Sequence, residues 1–262
     1  MARPRHVVAA AAWLATLGIP SAALASPPTP HAALHEARHG QPTTLTVSGD
    51  ANLEVLLGPP SSSQVVIYMH GVCGDPLAFR SWARAARRRA TFISLRGDEV
   101  CDKRPSRRRW SWDMGRLDRR IQDAIATVSA YRDGPALDPT RVALVGYSQG
   151  AHRVEHLAFR YPERYPRVIL IAPANEPSAA RLSKTERVLL MAGGWDARSH
   201  IQESFHKLQR KRHPARYLEL PRARHGQYGP DAAQVMNEAF SWLLEEKRES
   251  SVGGVSKSAG GD

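Results

Sequence analysis

The chain has 262 residues, of which 42% are hydrophobic and 24% are charged, so an intrinsically disordered protein is excluded as the expected class. This length suits one domain with a sizeable core. The formal net charge of +12 excludes neither enzyme nor binding protein, but it favours acidic partners, whether nucleic acid, anionic lipid or an envelope polymer.

The amino terminus has the pattern of a secretory signal peptide, predicted over residues 1–25. Arg3 and Arg5 give it a positive start, residues 7–19 form an apolar stretch, and small residues follow at the expected cleavage point. A membrane-spanning helix is the alternative, but the apolar stretch is shorter than the roughly 20 residues that a bilayer requires. We therefore expect a secreted or periplasmic protein with no integral membrane segment after processing.

Three further segments are predicted from composition. Residues 26–44 are rich in proline, alanine and histidine without any period, which is typical of a linker. Residues 45–248 carry the periodic apolar patterns of a folded domain. Residues 249–262 are rich in serine and glycine and are predicted to be a flexible tail.

Strands and helices alternate along the predicted domain, which favours a mostly parallel sheet with helices on both faces. No insertion is long enough for a separate cap domain, although residues 173–186 could cover the opening of a site. Residues 96–112 are predicted to be an irregular basic segment. Strands are predicted within residues 45–57 and at residues 65–69, 91–95, 142–145, 168–171, 188–191 and 217–220, and helices at 76–89, 113–131, 149–161 and 231–246.

The junction of one strand and one helix carries the sequence Gly146-Tyr147-Ser148-Gln149-Gly150. A Gly-x-Ser-x-Gly turn in this context is a nucleophile elbow, which lifts the serine hydroxyl clear of the sheet. A turn without chemistry is the alternative, and the apolar strand before it and the helical spacing after it favour the elbow. Ser148 is therefore the candidate nucleophile.

An acid and an imidazole follow this serine, each in a loop after a later predicted strand. Asp196 comes after the strand at 188–191, and His225 comes after the strand at 217–220. The order Ser148, Asp196, His225 resembles that of the α/β-hydrolases. The resemblance covers about residues 45–247 and implies an α/β-hydrolase fold without a large cap domain.

The resemblance implies a role for each member of this catalytic set. Ser148 would attack an acyl carbon, His225 would take and later return the proton, and Asp196 would orient the imidazole. Glu176 is an alternative acid, because it follows the strand at 168–171. Four other histidines are alternatives for the general base but are less well placed in the sequence: His152, His200, His206 and His213.

The segment His70-Gly71 resembles the oxyanion loop of the same family. The resemblance implies that the backbone N–H groups of Val72 and Gln149 would bind the oxyanion that forms during acyl transfer. The elbow is also similar to those of carboxylesterases and acyl thioesterases, and the lack of a cap is similar to these and to dienelactone hydrolases. The signal peptide and the basic segment depart from these groups.

The two cysteines, Cys73 and Cys101, are predicted to form a disulfide, because two thiols in an exported protein usually pair. Two free buried cysteines are the alternative. A bond between them would close a loop of about 29 residues and stabilise the fold by roughly 3 to 4 kcal/mol. It would also lie at the rim of the predicted site.

Two further groups of side chains are candidates for substrate binding. Trp112 and Trp195 are predicted to lie in loops near Ser148 and to line an acyl or aromatic pocket, together with Trp110, although core packing is the commoner fate of tryptophan. Arg107, Arg108 and Arg109 could steer anionic substrates. The alternative for these arginines is a solvated surface that reflects the composition of the chain.

The sequence thus predicts an exported serine hydrolase that cleaves small carboxylic esters or thioesters. The alternatives are a peptidase or amidase with the same triad, and a catalytically inactive basic protein that binds an anionic polymer. No metal-ligand spacing, phosphate-binding glycine loop or dinucleotide motif is present. We therefore expect no metal and no cofactor. The expected partner is a small ester, with an anionic ester or an envelope polymer as the alternatives, rather than nucleic acid.

Overall fold

The structure is a computed structural model that describes residues 42–47 and 50–245. The predicted signal peptide, most of the predicted linker and the predicted tail lie outside the described residues. The first strand begins at Thr43, so the last two residues assigned to the linker belong to the folded domain.

A sheet of eight strands forms the centre of the domain. These are β1 (Thr43–Leu45), β2 (Leu53–Leu56), β3 (Val65–Met69), β4 (Thr91–Leu95), β7 (Ala143–Tyr147), β8 (Arg167–Ile171), β9 (Arg187–Gly193) and β10 (Ala215–Leu220). Their order across the sheet is β1-β2-β4-β3-β7-β8-β9-β10. Strands β1 and β2 run antiparallel to their neighbours and the others are parallel. The sheet confirms the predicted fold class.

Helices cover both faces of this sheet, as the alternation of the sequence predicts. They are α1 (Ala83–Arg87), α2 (Met114–Tyr131), α3 (Gln149–Arg160), α4 (Ala179–Leu182), α5 (Ser199–Arg210) and α6 (Ala232–Leu243), and a short 3₁₀ helix covers Ala78–Ser81. Helices α2 to α5 share one apolar core with one face of the sheet. Helices α1 and α6 and the 3₁₀ helix share a second core with the other face.

Local sequence explains the best-predicted elements. Strand β3 reads Val-Val-Ile-Tyr-Met and is buried along its whole length, because it lies between β4 and β7 with helices on both faces. Helix α2 begins after Asp113, whose side chain accepts the N–H of Arg116 at 2.9 Å and so satisfies a free backbone donor. The apolar face predicted for α2 is buried against the core.

Two elements differ from the prediction. The predicted helix at 76–89 is interrupted at Trp82, whose φ of −129° separates the 3₁₀ helix from α1. The segment predicted to be irregular contains an antiparallel hairpin of β5 (Glu99–Cys101) and β6 (Arg104–Arg109). Its sequence has no alternation of apolar and polar residues, so the periodicity that reveals a strand is missing.

The segment at 173–186, which could have covered the opening of a site, packs against α3. It contains α4, which lies on α3 through Glu155: this carboxylate accepts the N–H of Ser178 at 2.9 Å and pairs with Arg181 at 2.7 Å. The buried Leu182 adds α4 to the core. The described part of the chain therefore has no large cap, as predicted.

Candidate active site

The backbone makes a strained turn between β7 and α3. The backbone of Ser148 has φ 50° and ψ −112°, a conformation that residues other than glycine rarely adopt. A methyl group on Gly146 would lie 2.4 Å from the carbonyl oxygen of Gly150, and one on Gly150 would lie 2.1 Å from that of Met69. Both glycines are required by close backbone packing, and the turn between them holds Ser148 at the end of the sheet.

Three side chains meet beside this turn. The Oγ of Ser148 lies 3.1 Å from Nε2 of His225, and Nδ1 of His225 lies 2.9 Å from Oδ2 of Asp196. A carboxylate only accepts hydrogen bonds, so the proton of the neutral imidazole is on Nδ1 and Nε2 is free to accept from the serine hydroxyl. The structure thus brings together the three residues that the sequence singled out.

Backbone contacts hold the loops that carry these side chains. The N–H of Ser148 donates to the carbonyl of Ile171 at 2.8 Å, and the N–H of Gly226 donates to the hydroxyl oxygen of Tyr147 at 2.6 Å. Because Tyr147 belongs to the elbow and Gly226 follows His225, the second contact fixes the imidazole relative to the serine.

The alternative acid and the alternative histidines make their contacts outside the triad. The carboxylate of Glu176 pairs with Lys207 at 2.6 Å on the protein surface. Each of the other candidate histidines contacts a residue outside the triad: His152 contacts Asn175, His200 contacts Pro173, His206 contacts Phe205 and His213 contacts Thr185.

Ser148 and His225 open into a cavity of about 360 Å³. Three tyrosines form part of its wall, and burial raises the pKa of each, so the phenols stay protonated at neutral pH. The hydroxyl groups of Tyr68 and Tyr228 are 2.7 Å apart. The lining also includes the loop after β3 and two arginines of the hairpin; its members are Tyr68, His70–Asp75, Ala78, Arg104, Arg107, Tyr147, Ser148, His225, Gly226 and Tyr228.

His70 fixes the start of the loop after β3 from within the core. Its Nε2 accepts the N–H of Gly97 at 3.0 Å, so Nδ1 carries the proton and donates to the carbonyl of Gly71 at 2.7 Å. Burial lowers the pKa of His70 to about 4. The indole N–H of Trp110 donates to the carbonyl of His70 at 2.7 Å. Beyond this anchor, Val72 is half-exposed and faces the cavity.

The predicted disulfide is present in the structure. Cys73 and Cys101 are bonded, with their Cα atoms 5.8 Å apart. Cys73 follows Val72 in the loop after β3, and Cys101 ends β5. The bond therefore joins the predicted oxyanion loop to the hairpin.

The tryptophans predicted to line the pocket do not contribute to the cavity wall. Trp112 is exposed and stacks on the guanidinium of Arg153 at 3.5 Å, and Trp195 is exposed near Arg224. Trp110 is buried beside His70. The loops that carry these residues do pass near the site, but side-chain direction depends on packing that the sequence pattern does not reveal.

Several lining residues were not singled out from the sequence. Arg104 belongs to the basic segment, but nothing in its local sequence distinguishes it from the neighbouring arginines. Of the three arginines predicted to act together, only Arg107 lines the cavity. Arg108 lies outside it, and Arg109 pairs with Glu99. The signal that could have found Tyr147 is its place inside the elbow motif.

Residues 42–47 and 50–245 contain neither a metal site nor a membrane-spanning helix. No group of three His, Cys, Asp or Glu side chains in these ranges lies close enough together to hold a metal ion. No helix in them is long and apolar enough to cross a bilayer.

Comparison with protein families gives the assignment. Residues 51–187, just over half of the chain, match the phospholipase/carboxylesterase family of α/β-hydrolases. The chain belongs to this family. Membership makes the protein a serine hydrolase of the esterase type. No curated protein matches the sequence significantly.

Solved structures share the fold at low sequence identity. A dienelactone hydrolase from Anabaena variabilis is 18% identical with a TM-score of 0.56, covering 78% of this chain and 97% of its own. A fluorophosphonate-binding serine hydrolase from Staphylococcus aureus is 14% identical with a TM-score of 0.56, covering 79% and 100%. A carboxylesterase from Bacillus subtilis is 14% identical with a TM-score of 0.53, covering 83% and 98%. At these identities the likeness concerns the fold.

Proposed function

We propose that this family member hydrolyses carboxylic esters or thioesters through an acyl-enzyme formed on Ser148. His225 is the general base and acid, and Asp196 orients it. The observation that carries the proposal is the continuous line of contacts from Ser148 through His225 to Asp196, with distances of 3.1 and 2.9 Å. The open cavity in front of Ser148 supplies room for a small ester.

Acylation begins when Ser148 Oγ attacks the ester carbonyl carbon. Its proton passes to Nε2 of His225, and the positive imidazolium is stabilised by the carboxylate of Asp196. The bond to the alcohol or thiol then breaks, and His225 Nε2 returns the proton to that leaving group. In the second half, a water molecule gives its proton to Nε2 and its oxygen to the acyl carbon. The bond to Ser148 breaks, Oγ regains the proton, and the carboxylic acid leaves.

The backbone N–H groups of Val72 and Gln149 form the proposed oxyanion hole. Gln149 is the first residue of α3, where an N–H has no acceptor within its own helix and the helix dipole is positive. Val72 lies in the loop held by His70 and the disulfide. Such a donor contributes on the order of 3 kcal/mol to the stability of the transition state.

The disulfide supports the proposal that the protein works outside the cytoplasm. Such bonds persist in oxidising compartments and are rare where thiols are kept reduced. With the signal-peptide pattern of residues 1–25, this favours the periplasm or the extracellular space.

A fluorophosphonate probe tests the proposed function, because it bonds to an activated serine. We expect wild-type protein to be labelled on Ser148 and to hydrolyse a para-nitrophenyl ester. Ser148→Ala and His225→Ala should keep the far-ultraviolet circular dichroism of the wild type and lose hydrolysis by about 10³ to 10⁶-fold.

The same assay separates the alternatives. Folded wild-type protein that is neither labelled nor active would overturn the proposal and favour a basic binding protein. An ester and an amide with the same acyl group test the amidase alternative. Faster cleavage of the amide would overturn the proposed preference for esters but would be consistent with the proposed triad.

A further inference from the structure

The cavity has two unlike walls. The phenol rings of Tyr68, Tyr147 and Tyr228 belong to one, and these three residues are buried. The other is formed by the β5–β6 hairpin, which contributes the guanidinium groups of Arg104 and Arg107. The hairpin forms a two-stranded sheet of its own, separate from the eight-stranded sheet.

Several contacts fix this hairpin beside the cavity. The disulfide joins its first strand to the loop after β3, and a backbone bridge links Gly74 of that loop to Arg108. Arg96 donates to the carbonyl of Ser106 at 2.9 Å. The two cavity arginines are therefore carried by an anchored element rather than by a free loop.

The charges within the cavity do not balance. Asp75 pairs with Arg107 at 3.4 Å, and its other oxygen accepts the N–H of Leu77 at 2.8 Å. Arg104 forms no ion pair with any residue that the structure describes, and it is exposed to solvent. The two arginines and the one aspartate of the lining therefore leave one positive charge unbalanced in the cavity that contains the proposed nucleophile.

We propose that the preferred substrate carries an anionic group, a carboxylate or a phosphate, which binds Arg104 with Arg107 as the second partner. This inference rests on the proposed function and names its substrate class. A planar guanidinium binds such oxygens through paired N–H donors, which makes it selective for their geometry as well as their charge. The ester carbonyl would lie at Ser148 while the anion lies against the hairpin.

Two pairs of esters test on which side of the ester bond the anion lies. For the acyl side, the mono-para-nitrophenyl ester of adipic acid is compared with para-nitrophenyl hexanoate. For the alcohol side, meta-acetoxybenzoate is compared with meta-acetoxybenzamide. In at least one pair, we expect the charged ester to have a kcat/KM about fivefold or more above its neutral partner at low salt, as one partly exposed ion pair allows.

Variants and salt then identify the source of that preference. Arg104→Gln should remove most of the ratio and Arg104→Lys should keep part of it. Arg108→Gln, which removes the same charge from the same strand but outside the cavity, should lower the ratio much less than Arg104→Gln does. Raising the ionic strength from about 0.01 M to 1 M shortens the Debye length from about 30 Å to 3 Å and should lower the ratio.

Labelling separates failure of this inference from failure of the proposed function. If the probe labels Ser148 but both ester pairs give equal kcat/KM values, the anionic substrate class is wrong and the hydrolase remains. A charge preference that survives the double change Arg104→Gln and Arg107→Gln would also overturn the inference. If Ser148 is not labelled, the proposed function itself fails.

Discussion

The loops that carry Ser148, Asp196 and His225 differ from the hairpin in what holds them. Each of the three loops follows a strand of the eight-stranded sheet, and the N–H of Ser148 bonds directly to the end of β8. The hairpin has only two strands, and isolated hairpins of this kind are marginally stable in water. Its position depends on one covalent bond and a few polar contacts.

This difference separates two tasks. The proposed bond-breaking groups require distances fixed to within a fraction of an ångström, and they are supported by the most extensively packed part of the molecule. The proposed recognition of charge acts over longer distances and tolerates an exposed element. A change in the sheet loops should therefore affect the rate constant of the reaction, and a change in the hairpin should affect stability and substrate choice.

The first prediction tests which carboxylate is the acid of the triad. Asp196→Asn should lower kcat by roughly 10³ to 10⁴-fold, because an amide at this position favours the wrong tautomer of His225. The matched variant Glu176→Gln removes a carboxylate that pairs with Lys207 on the surface and should change kcat less than about twofold. Steady-state kinetics on one neutral ester measures both. A severe loss in Glu176→Gln with a harmless Asp196→Asn would reverse the assignment.

The second prediction concerns the bond that anchors the hairpin. Replacing Cys73 and Cys101 together by serine should lower the free energy of unfolding by roughly 3 kcal/mol, since a loop of about 29 residues is no longer closed in the unfolded chain. Urea denaturation measures this change, and reduction of the wild type should reproduce it. Labelling of Ser148 should persist under native conditions. Equal stability of the reduced and oxidised wild type would contradict the anchoring role.

The third prediction concerns His70, which connects the two regions. Its folded pKa of about 4 lies below the ordinary value of 6.5, so the unfolded chain binds the proton first as the pH falls. Its contribution to stability is complete above pH 6.5 and is lost between about pH 6.5 and 4, with a total of about 3 kcal/mol. Protonation would also leave Nε2 unable to accept the N–H of Gly97.

Urea denaturation at pH 7 and at pH 4.5 measures this effect. His70→Gln should be less stable than the wild type at pH 7 but should lose less stability on acidification. If both proteins lose the same free energy between the two pH values, the acid sensitivity comes from other groups.

The main features of the fold could be predicted from the amino-acid sequence, because they depend on local patterns. Strand β3 is a continuous apolar run, and the predicted bounds of both β3 and β4 match the structure. The elbow is a contiguous motif, so Ser148 could be assigned from five residues. Asp196 and His225 could be found because the parallel topology brings loops after different strands to one edge of the sheet.

Which exposed residues line the cavity could not be predicted from the sequence and follows from the packing of the folded chain. The basic segment has no hydrophobic period, so its hairpin is formed by a distant cysteine and by polar pairing rather than by burial of an apolar face. Arginines adjacent in sequence have different surroundings, since Arg107 lines the cavity and Arg108 does not. Trp112, which precedes α2, stacks on Arg153 of α3. Such directions depend on contacts between distant segments, which local periodicity cannot encode.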